Sequence, residues 1–272
     1  MVKLKIGIVG CGAIGSSLAK SIIKDFSGQA KLVALYDLDN LKVMNLAKMF
    51  KRGHLVVTGL NDLIKASNLV VESASAEASF DIARAALKAK KDVMVMSVGG
   101  IARGFDLLVK LAAKNNCRIY IPSGAISGID ALKAASIGKI KEVTLTTTKN
   151  PLGFKGVGYV KDEGIDLSRI KKETVLFSGK AKDAVRYFPQ NINVAAVLSL
   201  AGIGVNKTKV RIIASPKVTK NIHEIEIKSN VGNIYTRTEN VLHSDNPKTS
   251  YMAVLSAIAV LKRILNSVRI GT

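Results

Sequence analysis

Gly10-Cys11-Gly12-Ala13-Ile14-Gly15 is a G-x-G-x-x-G turn. An apolar run precedes it, KLKIGIV over 3–9, and a segment of helical period follows, with Ile14, Leu18, Ile22 and Ile23 on one face. A second apolar run, KLVALY over 31–36, ends at Asp37. Strand, glycine turn, helix and strand in so short a stretch leave few folds open. The two strands must be parallel and joined by a right-handed crossover. The three glycines differ in what they permit. Gly10 allows the tight turn, Gly12 lets the backbone approach a pyrophosphate, and Gly15 lets the helix close on the strand. Free N–H groups at the helix start then face the phosphates, so Gly10, Gly12, Ala13, Ile14 and Gly15 are expected to hold a dinucleotide.

Asp37 lies 22 residues beyond Gly15, near the spacing of a ribose ligand. Its carboxylate suits the ribose hydroxyls and repels a 2′-phosphate, and Leu38 and Asp39 offer no cation. NAD is therefore the favoured cofactor, with NADP kept as an alternative by Lys42 nearby.

The alternation of strand and helix continues. Expected helices cover 41–50, 61–67, 76–90 and 105–116, and expected strands 55–58, 68–74, 92–98 and 118–123. Such near-continuous apolar strands are buried on both faces, as in a doubly wound parallel sheet. Ligands of such sheets sit at the carboxyl ends of the strands. Ala74 and Ser75 end one strand and Ser97 another, so these three join the candidate cofactor contacts.

Beyond residue 124 the pattern changes. Helices are expected over 128–138, 182–188 and 191–204, and strands over 142–150 and 173–179. The runs 208–215, 221–229 and 233–240 read as antiparallel strands, the last two joined across Asn230-Val231-Gly232. The fold class is α/β: a Rossmann domain over 1–124 and an α+β domain with an open mixed sheet over 125–244. An apolar C-terminal helix within 245–272 packs back on the first domain. The open face of the second sheet points to a homodimer.

Composition narrows the function classes. The net charge is +21, from 41 Lys+Arg against 20 Asp+Glu. The basic residues are dispersed, with no long run and no interleaved aromatics of the kind that stack bases, so nucleic acid is not an expected partner. A positive field instead draws in small anions. Two cysteines, Cys11 and Cys117, build no disulfide framework, and no metal-ligand spacing is present. The first residues read as a strand, not a signal peptide. No stretch reaches the roughly 18 apolar residues of a membrane helix, so a cytoplasmic location is expected, with no membrane partner.

Five segments outside the glycine turn narrow the field further. VVESAS (70–75), IPSGAISGIDALKAA (121–135), FPQNINVAAVLSLAG (188–202), VTKNIHEI (218–225) and SDNPKTS (244–250) together resemble the L-aspartate dehydrogenase family, in order and through nearly the whole chain. The resemblance implies NAD- or NADP-dependent oxidation of L-aspartate to iminoaspartate. That product hydrolyses to oxaloacetate and ammonia or feeds NAD biosynthesis. It also implies that His223, in the Asn-Ile-His segment, is the catalytic residue, and that Ala125 and Asn193 touch the cofactor. Gln190 stands where the family usually shows a basic residue.

Amine oxidation needs a base, because only a neutral amine releases a hydride, and a second proton transfer when water attacks the imine. An imidazole titrating near neutrality suits both steps. Of the three histidines, His54 sits in a charged loop and His243 precedes a polar turn, leaving His223 foremost and His243 as runner-up. Asn191, Asn246 and Lys248 are candidate substrate contacts. Two other readings of the same residues stay open. One is a two-domain reductase related to homoserine dehydrogenase or dihydrodipicolinate reductase, although the histidine-rich basic motif of the latter is absent. The other is a non-catalytic NAD sensor.

Overall fold

A computed structural model describes residues 2–188, 193–243 and 246–272, without the side chains of 246–248. The chain forms two compact units: Met1–Pro122 with Val254–Arg269, and Ser123–Ala253 with Ile270–Thr272.

The first unit opens with β1 (Leu4–Val9), α1 (Ala13–Lys24), β2 (Ala30–Tyr36), α2 (Asn40–Met49), α3 (Leu60–Ala66) and β3 (Leu69–Glu72). It continues with α4 (Ala76–Lys88), β4 (Asp92–Val95), α5 (Val98–Ile101), α6 (Phe105–Asn115) and β5 (Ile119–Tyr120). The five strands are parallel and lie in the order β2-β1-β3-β4-β5. The strand order reverses between β1 and β3, which opens a crevice at their carboxyl ends. Both faces of the sheet are covered, so β3 is buried at every position. Ile6, Ile8, Leu32, Leu35, Leu69 and Val71 form a core with Leu18 and Ile22 of α1.

The expected strand over 55–58 is not formed. A single helical turn occupies Gly53–Leu55, and one isolated bridge, Leu35 to Val56, is the ladder pairing described between this segment and β2. The last expected strand shrinks from 118–123 to two residues, because residues 121–123 leave the sheet.

The second unit contains α7 (Ile129–Ala135), β6 (Ile140–Lys149), α8 (Gly158–Asp162), β7 (Thr174–Lys180), α9 (Ala181–Tyr187), α10 (Asn193–Ala201), β8 (Lys209–Ala214), β9 (Asn221–Ser229), β10 (Gly232–Asn240), β11 (Leu242–His243) and β12 (Asn246–Ser250). Its main sheet runs β10-β9-β6-β8-β7 and is mixed: β6 and β8 are parallel, the other pairs antiparallel. The hairpin β9–β10 is present. The expectation of three neighbouring antiparallel strands needs correction, however, since β8 lies between β6 and β7 rather than beside β9.

Period-two alternation sorts this sheet into two faces. Val143, Leu145 and Thr147 of β6 oppose Ile227, Ile225 and His223 of β9, and all six are buried. The other face carries charge and hydroxyls: Thr144 opposes Glu226, and Thr146 opposes Glu224. Arg237 of β10 pairs there with Glu224 at 2.7 Å and Glu239 at 3.0 Å.

The last helix, α11, spans Tyr251–Leu265 and follows β12 directly. It lies within 245–272, where the C-terminal helix was expected, and Asn246–Ser250 before it, part of the expected polar turn, pairs with β11 as a strand. Its buried Ala257 and Leu261 join the core of the first unit, with Ile258, Ile264 and Leu265 packed alongside.

Candidate active site

The glycine turn has the steric signature of a phosphate cradle. Gly10 sits at φ +92°, a region that side chains rarely enter, and a Cβ there would overlap the Ser73 carbonyl at the end of β3. A Cβ on Gly15 would overlap the Gly10 carbonyl, so α1 closes on β1 only because Gly15 has none. Gly12 is different: a Cβ there would meet nothing within 4 Å. No contact inside the protein demands glycine at this position, whereas a ligand drawn up to the backbone would. Gly12 is also the residue before α1, and no side chain caps that helix, so its first N–H groups are left for an anion. These residues fit a dinucleotide pyrophosphate.

Asp37 closes the other side of the turn. Its Oδ2 accepts from the Cys11 N–H at 2.7 Å and its Oδ1 from the Asp39 N–H at 2.9 Å. The carboxylate is thus oriented by the backbone, and each oxygen keeps a further lone pair for a ribose hydroxyl. Burial, and next Asp37, push the Cys11 thiol up to about 12, which makes it an inert filler.

Glu72 organises the neighbouring strand ends. It is completely buried at the end of β3, and its carboxylate accepts from the Ala74 N–H (2.9 Å), the Ser79 hydroxyl (2.8 Å) and the Ser97 N–H (3.0 Å). Burial pushes its pKa above the usual carboxylate range, against the pull of those hydrogen bonds. Ser97 also donates to the Ala74 carbonyl at 3.4 Å. Ala74 and Ser97 are therefore tied together at the carboxyl ends of β3 and β4 by an acid to which sequence reasoning gave no role, and Ser75 stands just before α4. The signal was available: an acid ending an apolar strand in a sheet covered on both faces must find partners inside.

In the second unit, His223 stands on the buried face of β9. Its Nδ1 lies 3.0 Å from Thr147 Oγ1, directly across on β6. Thr238, its register partner on β10, donates to the Ala125 carbonyl at 3.1 Å and approaches the His223 carbonyl at 3.4 Å. Asn240 Nδ2 donates to the same Ala125 carbonyl at 2.9 Å, and Asn240 Oδ1 accepts from Ser250 Oγ at 2.9 Å. The turn at Ala125 is thereby fixed against the strand next to His223.

Lys149, absent from the sequence-based candidates, completes this cluster. It lies two residues beyond Thr147 on β6, hence on the same face, and is 8% exposed. Among the described residues no other Lys or Arg is buried. Burial pulls its pKa down to about 8. Burial, and next the charge of Lys149, pull His223 down to about 3. An imidazole titrating near neutrality, as expected from the sequence, is thus not what this fold holds on its own: His223 is neutral at every physiological pH.

Asn193 is exposed at the first residue of α10. Asn191 and Gln190 lie outside the described residues, as do the side chains of Asn246 and Lys248, although the backbone of both falls in β12. His243 is buried on β11, its ring 5.7 Å from that of Tyr251. His54 is exposed. No group of acids, cysteines and histidines among the described residues could hold a metal ion.

Comparison with known proteins gives this geometry a context. L-aspartate dehydrogenase from Methanococcoides burtonii is 48% identical over 271 residues, 99% of this chain and 100% of that one. The chain belongs to the L-aspartate dehydrogenase family. The L-aspartate dehydrogenase of Methanococcus maripaludis is 45% identical over 272 residues, again 99% of this chain and all of the other. Residues 130–264 match the family described as aspartate dehydrogenase, C-terminal, and residues 10–122 the family described as homoserine dehydrogenase, NAD binding domain. The crystal structure of aspartate dehydrogenase from Thermotoga maritima superposes with a TM-score of 0.72 at 27% identity, covering 99% of this chain and 100% of that chain. A homoserine dehydrogenase from Thiobacillus denitrificans, 15% identical with a TM-score of 0.61 over 97% of this chain and 74% of its own, shares the fold.

Proposed function

We propose that this protein oxidises L-aspartate with NAD, or with NADP, to iminoaspartate, which hydrolyses to oxaloacetate and ammonia. The observation that carries this reading is the match, end to end, to L-aspartate dehydrogenases at up to 48% identity. The geometry supports it through the open backbone at Gly12 and the buried imidazole of His223.

When bound, the nicotinamide cofactor accepts the hydride lost from the amino acid. The protein's own residues do the rest. Gly10, Gly12, Ala13, Ile14 and Gly15 hold the phosphates. Asp37 takes the ribose hydroxyls and favours NAD over its phosphorylated form. Ala74 and Ser97, tied by Glu72, shape the strand ends with Ser75, and Ala125 and Asn193 keep the cofactor role that the family implies.

His223 is the acid–base residue. In the tautomer that donates Nδ1–H to Thr147, Nε2 presents a lone pair to the substrate amine. In the free protein the proton affinity of the ring is suppressed by burial and by Lys149. A bound dianion opposes both effects, since a nearby negative charge favours the imidazolium. The imidazole thus gains basicity when substrate is present and yields the proton again when water adds to the imine.

Asn191, Asn246 and Lys248 are further substrate contacts in this reading. We place the reaction in NAD biosynthesis, in the cytoplasm, in a homodimer formed through the second sheet. No described helix is long and apolar enough to cross a membrane. The test is product balance: purified protein with NAD and L-aspartate should release ammonia and reduced cofactor in equal amounts. Reduced cofactor without ammonia would sink the reading.

A further inference from the structure

Glu72 ends β3 with an acid where the strand is otherwise Leu69, Val70 and Val71, and its side chain is completely buried. Burying a carboxylate is costly unless its hydrogen bonds are used. Here they are used on two different turns. Oε1 accepts from the Ala74 N–H at 2.9 Å, in the turn after β3, and Oε2 accepts from the Ser97 N–H at 3.0 Å, in the turn after β4. Ser79 of α4 donates its hydroxyl to Oε2 at 2.8 Å. None of the three partners carries a charge. A carboxylate offers such a set two acceptor oxygens and no donor, whereas a glutamine amide would turn its NH2 group against an N–H.

The two turns are also locked by shape. A Cβ on Gly100, in the helix that follows Ser97, would overlap the Ala76 carbonyl at the start of α4. On the other side, Ser73 donates its hydroxyl to the Gly10 carbonyl at 2.8 Å and its N–H to the Val9 carbonyl at 2.8 Å. The glycine turn, the turn after β3 and the turn after β4 therefore form one connected block within the first unit. Ser73 makes its bonds without the Glu72 carboxylate, so only the link between the last two turns depends on that acid.

Strand order says what this link faces. In the order β2-β1-β3-β4, Asp37 follows the first strand and the glycine turn follows the second. A dinucleotide with its adenosine ribose at Asp37 and its pyrophosphate at the glycine turn carries its nicotinamide half onward to the ends of β3 and β4. Glu72 and Ser79 are both 0% exposed, so neither presents a surface to a ligand there. Anything they do to the cofactor passes through Ala74 and Ser97.

We infer that Glu72 is a positioning residue for the nicotinamide half of the cofactor, acting by fixing the turns at Ala74 and Ser97 to each other. The inference rests on the cofactor contacts proposed above. Turns set in advance spare the ordering that binding would otherwise demand.

The test compares wild type with Glu72→Gln and Ser79→Ala, titrating the full chain by calorimetry with NAD and with ADP-ribose, which lacks the nicotinamide. Glu72→Gln is expected to weaken NAD about tenfold and ADP-ribose by less than about twofold. Ser79→Ala removes one hydrogen bond to the same carboxylate and should weaken NAD about threefold, again with ADP-ribose unmoved. It carries the test alone if Glu72→Gln does not fold. Parallel losses for the two ligands would show that Glu72 only supports the fold, and would overturn the inference. So would unchanged NAD affinity in the folded variants, or wild type that binds the two ligands equally. Wild type that binds neither ligand instead overturns the cofactor placement beneath it.

Discussion

His223 Nδ1 meets Thr147 Oγ1 at 3.0 Å across two neighbouring strands, on the buried face of the second sheet. The imidazole has a fixed ring orientation and one nitrogen already engaged, and in the proposed reaction the other nitrogen serves the substrate. Replacing His223 by Ala should lower kcat for L-aspartate by about 100-fold or more while NAD affinity stays within a factor of about two. Loss of NAD binding in parallel would show that His223 supports the fold rather than the reaction.

The same ring makes stability depend on pH. Its pKa falls from an ordinary 6.5 to about 3 in the folded protein. Between those values the unfolded chain binds a proton that the folded chain refuses, so stability present above pH 6.5 is lost as the pH falls toward 3. A His223→Gln variant escapes this effect. Relative to wild type it should gain about 2 kcal/mol between pH 6.5 and pH 5, read by chemical denaturation. Parallel curves for the two proteins would contradict the buried neutral ring.

Gly12 and Gly15 are separated by the space around them. Gly15→Ala pushes a methyl into the Gly10 carbonyl and should cost about 2 kcal/mol or more of stability. Gly12→Ala meets nothing, so its melting temperature should match wild type while NAD affinity drops about tenfold. Titration of NAD alongside thermal unfolding distinguishes the two effects. Unchanged NAD affinity in Gly12→Ala would remove the phosphate cradle from this turn.

Asp37 should set cofactor preference. Asp37→Ser removes the charge that repels a 2′-phosphate and should narrow the preference for NAD over NADP about tenfold or more in kcat/KM. Some NAD affinity is lost as well, because the Cys11 N–H loses its acceptor.

How much of this was legible in the residues follows physical lines. The unit β1-α1-β2 announces itself because three glycines and an acid are each required by the backbone or a ligand. The segment at 55–58 misleads because a short apolar run fits a strand, a helix end or a covered loop equally well. Here only Val56 bridges to Leu35. SDNPKTS has turn chemistry, yet its second half pairs with β11 through contacts that composition does not encode. Lys149 escapes sequence reading for a related reason: a lysine ending a Thr-rich strand reads as a solvated charge. Its parity with Val143, Leu145 and Thr147 is the available clue, but only tertiary packing decides which face of such a strand is covered.

That packing carries a stability consequence. The depressed pKa of Lys149 means that the folded state disfavours its charged form, so stability at neutral pH lies below that at a pH above the ordinary 10.5. The unfolding free energy of Lys149→Met relative to wild type should therefore rise as the pH falls from 10.5 to about 8, read by denaturant titration. Parallel curves for the two proteins would contradict the depressed pKa.

The most direct measurement is the appearance of reduced cofactor, followed by its near-ultraviolet absorbance, with purified protein, NAD and L-aspartate beside homoserine, glutamate and alanine. Turnover with L-aspartate alone is the expected result. Silence with L-aspartate despite measurable NAD binding would contradict the proposed activity and favour another reductase or a sensor built on the same fold.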